Sequence, residues 1–170
     1  IALLAEGVRD GAAARAASDY LFTERGGRIT ATLNILSADL QTGTLVISRN
    51  NPTPIFIARD EKIECLAGES PSIGTSRNIR PAIIEIPLEI GLTVVLYTDG
   101  VWNSGDQYGV HLDVCTMLEA TLEEQEPLAQ EIADMLLGQA IRLDHGRPND
   151  DMSVVVLRVI SNAEEQIRRM

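Results

Sequence analysis

The sequence is poor in the residues that cross-link a chain or bind soft metals. Its 170 residues include two cysteines and two histidines. Cys65 and Cys115 lie far apart, in apolar or helical surroundings, which favours reduced structural thiols over a disulfide framework or a zinc site. His111 and His145 are likewise isolated and lack the spacing of metal ligands. Neither residue type therefore indicates a site.

Long apolar runs and an excess of positive charge are also missing. No segment is apolar over the length needed to cross a bilayer, and no signal peptide is recognisable. Lys and Arg number 14 against 25 Asp and Glu, which gives a net charge of −11. A chain this acidic is repelled by nucleic acids and anionic membranes. We therefore expect a soluble, cytoplasmic protein that binds no nucleic acid and does not insert into membranes.

What is present is an ordinary globular composition, with 45% hydrophobic and 23% charged residues. A chain of this length can bury a substantial core. We predict one domain over residues 1–160, followed by a polar and frayed tail over residues 161–170.

The N-terminal region has the periodicity of a helix. Apolar residues recur at steps of three and four, at Ile1, Leu4, Val8, Ala12, Ala16 and Tyr20, and predict a single helix with one packed face. Gly7 and Gly11 each weaken such a helix by about 1 kcal/mol relative to alanine, so we expect close packing at both. No capping residue precedes Ile1, and we expect the fold to begin upstream of it.

After Gly26-Gly27 the periodicity changes to that of strands. The predicted strands, in chain order, are 28–40, 44–48, 55–58, 62–66, 82–86, 92–98 and 152–160. The first four are joined by short turns, at 39–43, 50–52 and 59–61, and predict an antiparallel meander. A loop is predicted at 68–78 and helices at 112–122 and 127–143. The last strand is almost wholly apolar, which predicts a central, buried position.

Carboxylates stand at the ends of two of these apolar strands. Asp99-Gly100 closes the run Thr93–Thr98, and Asp150-Asp151 opens the final strand. Adjacent aspartates repel each other unless a cation neutralises them. If the two strands are neighbours, three carboxylates converge at one sheet edge, and such hard oxygen ligands suit Mg²⁺ or Mn²⁺. Either motif alone is more simply explained as a turn or a solvated loop.

The order of these motifs resembles the metal-dependent protein phosphatases of the 2C-like (PPM) family, and specifically its bacterial branch typified by the sporulation stage II protein E phosphatase. The resemblance rests on the segment 95–101, on Gly109 and on the segment 149–157, supported by 31–34, 39–45 and 48–54. It implies an α+β fold, an α-β-β-α sandwich of two antiparallel sheets flanked by helices.

The resemblance also implies an activity. It predicts a bacterial signalling hydrolase, a serine/threonine protein phosphatase with two Mn²⁺ or Mg²⁺ ions whose bound water, and no side-chain nucleophile, attacks the phosphorus. Asp99, Asp150 and Asp151 would be metal ligands, although many relatives carry asparagine at the position of Asp151. The implied substrate is a phosphoserine or phosphothreonine protein of the anti-anti-sigma type.

Two departures keep alternatives open. The family's first Asp-Gly motif, which supplies a bridging aspartate, is absent; its nearest counterpart, Glu6–Gly11, lies in helical surroundings. We expect this motif, with the first strands, upstream of Ile1. A degenerate, non-catalytic interaction module of the same fold is the alternative, and an unrelated acidic α/β domain is a third. Asn50-Asn51 replaces the usual histidine after the second strand, which leaves substrate contacts open.

Overall fold

The computed structural model describes residues 1–59, 62–124 and 126–161. Chain contacts group the protein into two compact units, the first formed by Ile1–Pro52 and Gly68–Leu88, the second by Thr53–Ala67 and the chain from Glu89 onward.

In the first unit, two helices precede the strands. Helix α1 spans Ala2–Ala5 and α2 spans Asp10–Arg25. The predicted single helix is thus wrong, because Gly7 adopts a left-handed φ of 77° between the two, a conformation that glycine tolerates and a helix does not. Gly26, also left-handed, ends α2 as predicted.

The packed face of α2 also differs from the predicted apolar stripe. Its buried residues are small (Gly11, Ala13, Ala14 and Ser18), whereas Tyr20 is 70% exposed. A Cβ at Gly11 would lie 2.7 Å from Cδ1 of Ile83, a close contact of the expected kind, made with the end of a side chain that is half exposed. Gly7 has no atom near its Cβ position and serves the turn instead.

Three antiparallel strands complete the first unit among the described residues: β1 (Leu33–Asp39), β2 (Thr44–Asn50) and β5 (Ala82–Pro87), in the order β1-β2-β5. The predicted hairpin turn is confirmed, since Asp39 accepts the backbone N–H groups of Gln41 and Thr42. β1 begins later than predicted; Ala31 forms only an isolated bridge with Ile73.

The second unit holds an antiparallel sheet whose described strands are ordered β4-β3-β6-β7. Their bounds are β3 Ile55–Arg59, β4 Lys62–Leu66, β6 Thr93–Tyr97 and β7 Val154–Arg158. The predicted meander is therefore wrong at one step, because β2 and β3 belong to different sheets. The predicted turn at 59–61 and the tail at 161–170 lie largely outside the described residues.

The last strand was predicted to be central and buried, and this is also wrong. β7 occupies an edge of the sheet as far as the described residues extend, and Val155 is 56% exposed. The central strand is β6, all five of whose residues are buried.

Helices of the second unit supply the rest of its core. They are α3 (Asp99–Trp102), α4 (Val114–Glu124) and α5 (Ala129–Leu143), with a short 3₁₀ turn at Asp106–Tyr108. Leu118, Ile132 and Leu136 are fully buried and pack with Val95 and Phe56 of the sheet. Both predicted long helices are confirmed, each beginning two residues later. Cys65 and Cys115 are free thiols, and no helix of the described chain is long and apolar enough to span a membrane.

Candidate metal centre

The pairing of β6 with β7 decides where the aspartates lie. The strands are antiparallel, with Val95 opposite Val156 and Tyr97 opposite Val154. The end of β6 therefore meets the beginning of β7. Asp99 follows the first strand by two residues, and Asp150-Asp151 precedes the second, so both motifs occupy one edge of the sheet.

Thr98 extends this pairing beyond the strand ends. Its N–H donates to the Ser153 carbonyl at 3.0 Å. Its hydroxyl donates to the Asp151 carbonyl at 2.9 Å and accepts the Ser153 N–H at 3.0 Å. The segment carrying Asp99 is thus tied to the backbone of Asp151 by the residue next to Asp99.

Gly100 brings the same two segments still closer together. A Cβ built on it would lie 2.5 Å from the Asp151 carbonyl oxygen and 3.3 Å from the carbonyl carbon of Asp150. Real Cβ atoms do not approach backbone so closely, so a side chain here requires the backbone to shift. Glycine at this position is explained by the proximity of Asp150 and Asp151.

The three carboxylates are exposed at this edge. Asp99 accepts the N–H of Gly100 at 3.2 Å, and Asp150 accepts the N–H of Asp151 at 2.8 Å. In the described part of the chain no Lys or Arg forms a salt bridge with any of them. Their oxygens are therefore not engaged by a basic side chain of the described protein, and a cation could approach them from solvent.

A surface pocket of about 310 Å³ adjoins Asp150. Its lining is rich in oxygen-bearing side chains: Asn103, Asp106, Gln107, Asp144, Asn149 and Asp150, together with Gly100. Asp144 is 2% exposed and accepts the N–H of Gly105 at 2.8 Å. Asp106 pairs with His111 at 2.7 Å.

Sequence reasoning missed Thr98, Asp106 and Asp144, because Thr98 and Asp144 make their contacts across the fold and Asp106 borders the site only through the pocket that it lines with Asp150. A signal existed only for Thr98, the residue between an apolar strand and Asp99. Gly100 was predicted to allow a sharp turn and a close backbone approach, and the structure shows that the backbone it approaches is that of Asp151.

The described residues at this edge do not enclose a cation by themselves. Nowhere in residues 1–59, 62–124 and 126–161 do three or more His, Cys, Asp or Glu side chains form a group that could hold a metal ion. The strand ends converge, but the three carboxylates do not form a closed cage. Magnesium-type ions are commonly held by one or two carboxylates, with waters and substrate phosphate completing the shell. Exposed Asp99 and Asp150 fit that mode in donor chemistry.

An aromatic stack lies behind the site. The ring of Tyr97 stacks on Trp102 of α3 at 6.1 Å and on Phe56 of β3 at 6.3 Å between centroids. Burial raises the pKa of the Tyr97 hydroxyl well above its ordinary value, with a smaller contribution from Cys65. These rings fix the end of β6 immediately before Thr98 and Asp99.

Comparison with known proteins decides the family. The model of the family described as "Stage II sporulation protein E (SpoIIE)" matches residues 2–160. The chain belongs to this family. The stage II sporulation protein E of Bacillus subtilis (strain 168) is 26% identical over 160 residues. That alignment covers 94% of this chain but 19% of the relative, so the SpoIIE-family chain spans about a fifth of that protein's length.

Solved structures show the same fold. The PP2C phosphatase domain with a fragment of the regulatory domain of SpoIIE from Bacillus subtilis matches with a TM-score of 0.76 at 24% identity, covering 94% of this chain and 47% of that one. The catalytic domain of the serine/threonine phosphatase PstP, solved in complex with two manganese ions, matches with a TM-score of 0.70 at 15% identity, covering 89% and 70%. The predicted fold class, α+β with two antiparallel sheets flanked by helices, is confirmed.

The family match excludes the third alternative, that the chain is an unrelated acidic α/β domain. The nearest counterpart of the first Asp-Gly motif, Glu6–Gly11, runs from the end of α1 into the first turn of α2 and does not follow a strand. It is therefore not a second carboxylate motif of the predicted kind.

Proposed function

We propose that this chain forms part of a metal-dependent serine/threonine protein phosphatase, with Asp99 and Asp150 as ligands of Mn²⁺ or Mg²⁺. The observation that carries the proposal is the contact of Gly100 with Asp150 and Asp151, which brings two carboxylate-bearing strand ends together. Membership of the SpoIIE family and the PP2C phosphatase fold support it.

The three aspartates have different roles in this proposal. Asp99 and Asp150 bind the cations directly, and Asp150 also borders the adjoining pocket. Asp151 does not line that pocket, so in this proposal its exposed carboxylate has the lesser part in metal binding. Two divalent ions would activate water and neutralise charge on the phosphoryl oxygens. The chain's own residues orient the ions and leave an open edge for a phosphorylated segment.

The substrate we propose is a phosphoserine or phosphothreonine protein, in particular a regulator of the anti-anti-sigma type. Membership of the family and the exposure of the site support this proposal. An exposed sheet edge admits a phosphorylated loop on the surface of a folded protein, whereas a deep cavity would admit only a free phosphate ester.

Hydrolysis of a phosphoserine protein by the intact protein tests the proposal. Activity should appear with Mn²⁺ and disappear with EDTA. In Asp99→Asn it should fall by a factor on the order of a hundred or more, as expected when an essential electrostatic contact is lost. Asp134→Asn, an exposed aspartate of α5 bonded to Gln130, is the control and should leave activity unchanged. Undiminished activity in EDTA would refute the proposal.

One observation favours the second candidate, a non-catalytic interaction module of this fold. Within the described residues, no group of three metal-binding side chains is found. Calorimetric titration of Mn²⁺ into the intact protein distinguishes the phosphatase from the non-catalytic module. Binding that is lost in Asp99→Asn supports the phosphatase, and the absence of binding supports the module.

A further inference from the structure

We infer that Thr98 is a positioning residue, whose side-chain hydroxyl holds the Asp99 and Asp150-Asp151 segments at the spacing needed to bind a cation; the inference rests on the proposed metal site. The residue touches neither the cation nor the substrate. It acts through the backbone of Asp151.

The hydroxyl of Thr98 uses its donor and one of its acceptor sites across the sheet edge. It donates to the Asp151 carbonyl at 2.9 Å and accepts the Ser153 N–H at 3.0 Å. A hydroxyl can do both at once because it has one donor hydrogen and two lone pairs. Valine has the same shape but can do neither, while serine retains both.

A local role for this hydroxyl is excluded by its geometry. Thr98 occupies the N-cap position of α3, where a threonine side chain ordinarily accepts an N–H from the first turn of the helix. It makes no such bond here. Its bonds go instead to residues 53 and 55 positions along the chain. The side chain therefore stabilises a connection between segments, not the start of a helix.

The hydrogen bonds of Thr98 act on backbone that is covalently close to the aspartates. Thr98 is adjacent to Asp99, and the carbonyl that it binds belongs to Asp151. Gly100, on the other side of Asp99, contacts the same carbonyl closely. Asp99 thus stands between two residues that both hold the backbone of Asp151. Supporting groups of this kind, one shell beyond the ligands, typically contribute 10- to 100-fold to metal affinity.

The experiment compares Thr98→Val, Thr98→Ser and Thr93→Val in the intact protein. Thr93 is the matched control, because it lies at the far end of β6 from Thr98, is fully buried, and its hydroxyl donates to the nearby Gly91 carbonyl within its own turn. Calorimetry gives the affinity for Mn²⁺ without substrate. Hydrogen exchange at the Ser153 amide, measured without metal, reports the connection itself.

We expect Thr98→Val to bind Mn²⁺ at least 10-fold more weakly, with Thr98→Ser and Thr93→Val close to the unsubstituted protein. Exchange at Ser153 should accelerate in Thr98→Val and stay slow in Thr98→Ser. Unchanged affinity in Thr98→Val, or an equal loss in Thr98→Ser, would overturn the inference. If the unsubstituted protein binds no Mn²⁺, the proposed function fails. Fast exchange at Ser153 in the unsubstituted protein would instead show that the Thr98 connection is absent.

Discussion

The Cα of Gly100 lies so close to the Asp151 carbonyl that a Cβ added to Gly100 would be 2.5 Å from that oxygen. The obstacle is backbone, which cannot rotate away as a flexible side chain can. Gly100→Ala should therefore push the Asp150-Asp151 segment outward. We expect a loss of about 1–3 kcal/mol in the free energy of unfolding, measured by denaturant titration, together with loss of metal binding.

Gly138 provides the matched control for that substitution. It lies inside α5, where a Cβ would meet nothing nearer than the Arg142 guanidinium at 3.6 Å. Alanine is the better helix former by about 1 kcal/mol, so Gly138→Ala should stabilise the protein. Equal effects of the two substitutions would contradict the close contact at Gly100.

Asp150 and Asp151 are predicted to differ in their contribution to metal binding. Asp150→Asn removes a charge that borders the pocket and should weaken Mn²⁺ binding at least 10-fold. Asp151 does not line that pocket, so Asp151→Asn should have the smaller effect. Isothermal titration of both variants measures the difference. A larger loss in Asp151→Asn would show that the roles are reversed.

The hydroxyl of Tyr97 is buried and has no hydrogen-bond partner within the described part of the chain. A buried unpaired polar group costs free energy, so its removal is not destabilising. Tyr97→Phe should be at least as stable as the unsubstituted protein, with a free energy of unfolding up to about 1 kcal/mol higher, as measured by thermal unfolding. Tyr20→Phe, at a position 70% exposed, should have no effect. A marked loss in Tyr97→Phe would reveal a partner for this hydroxyl.

Asp113 gives the protein a predictable response to acid. Its carboxylate accepts the N–H of Thr116 at 3.1 Å and the hydroxyl of Thr116 at 2.8 Å, and these bonds lower its pKa below the ordinary 3.8. Because the folded-state pKa is the lower one, the stabilisation is present above pH 3.8 and is lost as the pH falls through the folded-state value.

Asp113→Asn isolates that contribution, since the amide oxygen of asparagine can still accept the Thr116 N–H and its NH₂ can donate to the Thr116 hydroxyl, while the side chain does not titrate. Unfolding followed from pH 7 to pH 2 should show similar stability near neutrality and a shallower decline in acid for the variant. Asp134→Asn controls for the removal of one exposed negative charge. If the free energy of unfolding fell equally with decreasing pH in Asp113→Asn and in the unsubstituted protein, the bonds from Thr116 to the Asp113 carboxylate would not contribute to stability.

Local patterns predicted most of the elements correctly, because they depend on neighbours in the chain. Alternation and turn residues located the 39–43 hairpin, and apolar spacing located α4 and α5. The pattern could not tell that the turn after Asn50 carries the chain into a second sheet, since strand partners are chosen by packing over long distances. For the same reason the apolar run of β7 did not reveal that β7 is an edge strand among the described residues.

The sequence indicated which residues belong to the candidate site but not how the fold brings them together. Asp99, Asp150 and Asp151 were found because each stands at the end of an apolar strand. Their closeness depends on the register that sets Tyr97 opposite Val154, which no spacing along the chain encodes. The contacts of Thr98 and Gly100 with Asp151 follow from that register and were invisible without it.

Diffraction at the manganese absorption edge, from crystals of the intact protein grown with Mn²⁺, tests the central claim most directly. We predict an anomalous peak at the junction of β6 and β7, with carboxylate oxygens of Asp99 and Asp150 bound to it at about 2.1 Å. A peak bound by neither aspartate, or none at saturating Mn²⁺, would contradict the assignment of this sheet edge as the metal centre.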